Sequence, residues 1–159
     1  MAPLDVFGAS VRGEYTYIVR SLRRFGVAER DADDLAQDVL VAAYLKWAEW
    51  DAARPIRPWL LAFVVRRAAN YRRKAREELV PADATIEGPA PEDRDLVLRG
   101  LEALPFEQRV ALVLYDVDGY SAKEIAAMTD TAENTVYSRV RLAREAFRRR
   151  VVSPEEGAP

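Results

Sequence analysis

Apolar side chains in this chain recur in steps of three and four, and no stretch of useful length alternates them in steps of two. A period near 3.6 buries one face of a helix, whereas a half-buried strand needs a period of two. The pattern therefore predicts an all-α fold. Phe7, Val11, Tyr15, Ile18, Leu22 and Phe25 form a first stripe over about residues 4–25, closed by Gly26 where a helix end favours a left-handed residue. Asp31 is a good N-cap for a second helix, with Asp34 placed to complement its dipole and a stripe of Leu35, Val39, Ala43, Trp47 and Trp50. A third helix is expected to start near Pro58, a residue suited to the first helical position. It carries Leu60, Val64, Ala68, Tyr71 and Ala75 on one face and Arg66, Asn70 and Arg73 on another. Three such helices can share one core.

Residues 79–92, LVPADATIEGPAPE, interrupt the periodicity with Pro81, Gly88, Pro89 and Pro91. The composition predicts a flexible linker between two small helical domains, residues 1–78 and 93–152, followed by a tail at 153–159. Four shorter helices are expected in the second domain. The first runs roughly from Asp93 to Leu104. Pro105 opens the next, which should bury Val110, Val113, Leu114 and Val117 before stopping at Asp118-Gly119. Ser121 and Glu124 have the spacing of a capping box for the third. Thr131 is the expected cap of the fourth, whose stripe is Val136, Val140, Phe147 and Val151.

The last two helices have the layout of a helix-turn-helix, with small Ala126 at the close approach and Val136 in the angle between them. With the stripe inward, Ser138 and Arg141 face outward, and Asn134 and Thr135 sit at the helix N-terminus. Arg139, Arg144 and Arg148 can reach phosphates on the flanks. Polar groups for base edges beside cations for the backbone is the division a recognition helix needs. Leu142 should stand exposed among these arginines.

A formal net charge of -2 conceals strong segregation. Between Glu29 and Asp51 the only bases are Arg30 and Lys46, whereas between Arg54 and Arg76 there is no acid. A third block, Arg139 to Arg150, is basic apart from Glu145. One acidic and two basic surfaces point to two kinds of partner, a basic protein surface and a polyanion. With no Cys and no His, the chain lacks disulfides, zinc fingers and every triad that uses those residues. RDADDLAQD has Gln37 where a paired Asp-rich metal motif needs an acid. No metal, cofactor or catalytic residue is expected. No apolar run reaches the length of a membrane span, so membrane insertion is not expected and a cytoplasmic location is.

DADDLAQDVLVAAYLKW resembles the core-binding region of sigma-70 family RNA polymerase sigma factors, and PWLLAFVVRRAANYRRKAR the promoter-melting segment that follows it. LEALPFEQRVALVLYDVDGYSAKEIAAMTDTAENTVYSRVRLAREAF is similar to the fourth sigma domain, which reads the minus-thirty-five element. Second and fourth domains without a third is the pattern of extracytoplasmic-function (ECF) factors. The resemblance implies that Asp34, Gln37 and Asp38 dock on core RNA polymerase. It implies that Arg66, Asn70, Arg73 and Lys74 melt and read the minus-ten element of promoter DNA. Asn134, Thr135, Tyr137, Ser138, Arg141 and Arg144 are the matching minus-thirty-five set. It also implies an anti-sigma factor as a third partner. Asn70, Thr131, Asn134 and Leu142 depart from common family residues at their positions, which bears on the promoter sequence read.

A free-standing helix-turn-helix regulator with a dimerising or sensing domain is the main rival, but it gives no reason for an acidic helix followed at once by an arginine-rich one. A small helical enzyme is the other, and it lacks a convergent acid pair, His or Cys. Limited proteolysis should cut first between Leu79 and Asp93 and release two helical fragments. First cleavage in the segment around Trp47 would contradict the two-domain reading.

Overall fold

The first helical stripe does not run unbroken to Gly26. The computed structural model describes residues 4–78 and 92–152, and in it the stripe divides into α1 (Leu4–Val11) and α2 (Tyr15–Arg24). Gly13 is a poor interior helix residue, by about 1 kcal/mol relative to Ala, and the turn there places Glu14 to bind Arg57 at the surface (Nε–Oε2, 2.6 Å). α3 (Glu29–Leu45), a 3-10 turn (Trp47–Glu49) and α4 (Ile56–Glu77) complete the first half. Asp31 is not the cap of α3. The cap position falls three residues earlier, at Ala28, and the Asp31 carboxylate instead accepts the Tyr71 hydroxyl at 2.6 Å. Pro55, rather than Pro58, precedes the first residue of α4.

Small residues on α3 explain how α2, α3 and α4 close on one another. Ala32, Ala36, Val39 and Ala43 are buried against Leu60, Leu61, Val64 and Ala68 of α4, with Ile18 and Leu22 of α2. Complete burial of each Leu or Ile contributes about 1.5–3 kcal/mol relative to exposure. At one end an aromatic cluster takes over. Trp47 meets Phe7 edge-on at 5.1 Å and stacks on Trp50 at 4.8 Å, while Trp59 meets Phe63 edge-on at 4.9 Å.

The second half comprises α5 (Glu92–Glu102), α6 (Phe106–Leu112) continued by a wide π-type turn (Val113–Val117), α7 (Ala122–Thr129) and α8 (Glu133–Val152). Gly100 lets α5 cross α8 closely, since a Cβ there would lie 2.5 Å from the Phe147 ring. The π-type turn buries Val113 and Leu114 but rotates Val117 outward, so that residue is 57% exposed rather than part of the core. Ser121 and Glu124 do form the capping box, at 3.1 and 2.8 Å. Thr131 is not the cap of α8. Its hydroxyl lies 3.0 Å from that of Thr129, and Ala132 directly precedes the first helical residue. The linker assigned to 79–92 lies, save its last residue, outside the described residues.

The two halves touch. Among the described residues their buried side chains form one continuous cluster, with α4 packed on α7. The junction is organised around the end of α2. There Gly26 (φ +100°) closes a Schellman turn, Val27 N–H donating to Leu22 O at 3.0 Å and Gly26 N–H to Arg23 O at 3.1 Å. The remaining carbonyl, Arg24 O, accepts from the Nε of Arg109 on α6, whose Nη2 lies 3.4 Å from Arg23 O. Arg109 is only 2% exposed. Burial, reinforced by the nearby charge of Arg72, pushes its guanidinium down to about 10, so it stays charged at neutral pH. Beside it the Tyr17 hydroxyl donates to Asp118 at 2.6 Å, and burial, then that carboxylate, raises the phenol far above its usual range. A hydrogen bond to a charged group of this kind contributes about 1.5–3 kcal/mol.

Gly26 and Gly8 should respond oppositely to alanine. At Gly26 a Cβ meets Arg72 Nη1 at 2.3 Å in a left-handed backbone, so Gly26→Ala should destabilise by at least about 1–2 kcal/mol. Gly8 is inside α1 with nothing within 4 Å, so Gly8→Ala should stabilise by about 0.5–1 kcal/mol. Urea unfolding midpoints of the two variants check both signs.

Candidate nucleic-acid and protein-docking surfaces

α3 divides its acids between internal and external tasks. Asp31 holds Tyr71, and Asp33 accepts the Tyr15 hydroxyl at 2.9 Å. Asp34, Gln37 and Asp38 are exposed, and neither Asp34 nor Asp38 carries a hydrogen bond or ion pair among the described residues. Asp34, Asp38, Val41 and Leu45 follow one another by four, three and four positions, which sets them along one side of the helix. Val41 is 59% and Leu45 73% exposed. Sequence reasoning missed this apolar continuation. The signal was available, because a core stripe through Val39 and Ala43 leaves positions 41 and 45 facing away.

α4 carries its cations on the far side from its core. Arg66, Asn70, Arg73 and Lys74 are all exposed, and their spacing of four, three and one places them along one strip of the helix. Arg72 turns the other way, over the Phe106 ring at 5.5 Å, where burial lowers its pKa. The same charge block thus contains an external strip and an internal strut.

On α8, Val136, Val140 and Ala143 are buried, which turns Asn134, Tyr137, Ser138 and Arg141 to the outside, with Thr135 half-buried. The Ser138 hydroxyl donates to Asn134 O at 3.0 Å, leaving it free to act as an acceptor. Arg141 is exposed with only a loose approach to Glu145 at 3.9 Å. Arg144 differs from the expectation of a simple phosphate contact. It forms a two-pronged pair with Asp116 on the π-type turn, at 2.8 and 2.5 Å, and lies over the Tyr115 ring. Nothing in the local sequence of α8 signals a partner 28 residues away. Leu142 is exposed among the arginines, as its helical position predicts. Among the described residues no group of three or more metal-ligating side chains converges, and no helix is long and apolar enough to cross a membrane.

The arrangement has counterparts. The family model for Sigma-70 region 2 matches residues 11–78, and that for Sigma-70, region 4 matches residues 94–147. The chain is 32% identical over 146 residues to the ECF RNA polymerase sigma factor SigM of Mycobacterium tuberculosis, covering 87% of this chain and 73% of that one. It is 31% identical over 157 residues to the ECF RNA polymerase sigma-E factor of Escherichia coli, covering 86% and 82%. Among solved structures, CnrH in complex with the cytosolic domain of CnrY superposes with a TM-score of 0.72 at 27% identity, over 98% of this chain and 92% of that one. The sigma factor RpoE in complex with the anti-sigma factor NepR, from Bartonella quintana, shares the fold at a TM-score of 0.77 and 22% identity, over 94% and 98%.

Three of the outer arginines of α8 should separate in a DNA-binding titration against salt. Arg141→Ala should cost about 1–3 kcal/mol on a preferred duplex and relax preference at one base pair. Arg148→Ala should weaken all sequences alike and reduce the log–log salt slope by about one. Arg144→Ala should change the slope less than Arg148→Ala, because Asp116 already serves as its counterion. Equal, sequence-independent losses for Arg141→Ala and Arg148→Ala would make Arg141 a phosphate contact only.

Proposed function

Because the chain belongs to the sigma-70 family of RNA polymerase sigma factors, we propose that its three exposed surfaces divide the work of starting transcription among them. The protein is a transcription initiation factor of the ECF type, which binds core RNA polymerase and directs it to promoters. In our reading, residues 1–78 act as the second sigma domain, 79–92 as the linker and 93–152 as the fourth. Asp34, Gln37 and Asp38 on α3 meet core polymerase. Arg66, Asn70, Arg73 and Lys74 on α4 engage the minus-ten element as it opens. Asn134, Thr135, Tyr137, Ser138 and Arg141 on α8 read the minus-thirty-five element, with Arg144 held at the edge by Asp116.

One observation carries this reading. α3 and α4 pack together yet present opposite charge outward, acids with no internal partner on one and a cation strip on the other. Opposed faces on adjoining helices suit a protein that must hold a basic protein surface and a polyanion at the same time. The chain contributes binding free energy and no catalytic group, the polymerase performs the chemistry, and both act in the cytoplasm. Since the similar sigma factor RpoE was solved with the anti-sigma factor NepR, and the similar CnrH with the cytosolic domain of CnrY, an anti-sigma partner fits this chain as well.

Run-off transcription with purified core polymerase on a genomic promoter pool tests the reading, and Asp38→Arg tests its docking face. An exposed helix position tolerates such a change within about 0.5 kcal/mol of stability. Losing one member of a desolvated interfacial charge pair costs roughly 2–5 kcal/mol of affinity. Asp38→Arg should therefore fold normally and bind core polymerase at least tenfold more weakly, by about 1.4 kcal/mol per factor of ten. Unchanged affinity in a folded variant removes Asp38 from the interface.

A further inference from the structure

We infer that Tyr115 and Asp116, which lie on the π-type turn and outside the recognition helix, are positioning residues for promoter reading: they hold Tyr137 and Arg144 of α8 in one presentation before DNA arrives. The inference rests on the sigma-factor reading above and extends its minus-thirty-five surface to a second element of the fold.

The turn departs from regular helix at a cost. Asp118 N–H donates to Val113 O at 3.0 Å, five positions back where a regular helix uses four, and Val117 is carried out of the core. What the turn gains is contact with α8. Tyr115 meets the Tyr137 ring edge-on, with centroids 6.3 Å apart, and the Arg144 guanidinium carbon lies 5.5 Å from the centre of the Tyr115 ring. Asp116 accepts from Arg144 Nε and Nη2 at 2.8 and 2.5 Å. Tyr137 and Arg144 stand seven positions apart, about two turns of α8. One ring therefore braces two side chains from different turns of the reading face, and Arg141 falls between them in the chain.

The brace leaves both side chains able to act. Tyr137 and Arg144 remain exposed. Asp116 engages the Nε side of the guanidinium, so the Nη1 hydrogens and one on Nη2 keep no acceptor among the described residues. Those form the end-on edge of the group, which can donate to two acceptors at once. A mobile arginine gives up rotamer freedom on binding, a loss of about two- to tenfold in affinity, whereas Arg144 is already ordered. Asp116 also balances the charge of Arg144, so the pair supplies direction more than attraction and releases little counterion on meeting DNA. A directed contact of low net charge favours one sequence, whereas a free cation attracts every sequence alike.

The test uses holoenzyme reconstituted from core polymerase and the full chain. Its two duplexes are a promoter recovered by run-off transcription and the same promoter with the minus-thirty-five element scrambled, and discrimination is the ratio of the two affinities. Asp116→Asn, at an exposed position, should lower discrimination about two- to tenfold, yet tighten binding to the scrambled duplex and steepen the log–log salt slope by about one. Adding Arg144→Ala to Asp116→Asn should return the slope to its original value, which a general loss of negative charge would not do. Tyr115→Leu should lower discrimination by a similar factor with the slope unchanged, and Tyr115→Phe, which keeps the ring, should recover it. A structural role alone would lower the melting temperature and both affinities together, leaving ratio and slope in place. If Tyr115→Leu fails to fold, the Asp116 and Arg144 cycle decides. Full discrimination in a folded Asp116→Asn chain overturns the inference, and so does a slope that steepens equally when Arg144 is absent. If the wild-type chain confers no promoter binding on core polymerase, the sigma-factor reading falls and takes this inference with it.

Discussion

The C-terminus of α2 requires a hydrogen-bond donor that its own Schellman turn does not provide, and Arg109 supplies it from 85 residues farther along the chain. Burying a guanidinium is tolerable only where its hydrogen bonds are met. Helix-terminal carbonyls, with the negative end of the helix dipole behind them, meet that requirement without a carboxylate. Once Arg109 sits there, much else follows. Position 26 must be glycine-like, because Arg72 and Arg109 both crowd it. α6 is held against α2, the turn that ends α6 delivers Asp118 to Tyr17, and α7 comes to rest on α4.

Arginines of the same local appearance thereby acquire different roles. Arg57 is tied to Glu14 and lies over the Tyr17 ring at 4.1 Å, Arg72 covers Phe106, Arg109 caps α2, and Arg144 is clamped by Asp116. Arg66, Arg73 and Arg148 remain outside. The distinction matters because a cation with an internal counterion releases fewer ions when it meets a phosphate. Acids divide in the same way: Asp31, Asp33, Asp116 and Asp118 hold the fold together, whereas Asp34 and Asp38 are exposed with no hydrogen bond or ion pair among the described residues.

A transcription factor built this way reconciles a slightly acidic chain with DNA binding. The outward acids of α3 lie on a different helix from the cation strip of α4, so the proposed DNA-facing strip keeps its positive sign although the chain as a whole is slightly acidic. The exposed Val41 and Leu45 extend the acidic face with apolar area, and in the proposed docking role desolvated apolar contact would add affinity to the orientation that charge supplies.

Periodicity alone made the helices legible, because which face of a helix is apolar is decided within a few turns. The capping box at Ser121–Glu124, the glycine closing α2, the pairing of α7 with α8 and the outward set on α3, α4 and α8 were all readable for that reason. Where expectation and structure part, a distant group intervenes. Asp31 has the chemistry of a cap, yet Tyr71, 40 positions away, claims it. Val117 continues an apolar series, yet a π-type turn rotates it outward. Thr131 stands where a cap was expected and instead meets Thr129. Arg109 carries no local sign of burial in the sequence, and only the arrival of α2 turns it into the buried donor at the junction of the two halves. The sequence by itself determined the helices and the sign of each outer face, since both are local properties. Which charges stay on those faces was decided by the tertiary structure, because a buried carbonyl or hydroxyl selects its partner by proximity in space.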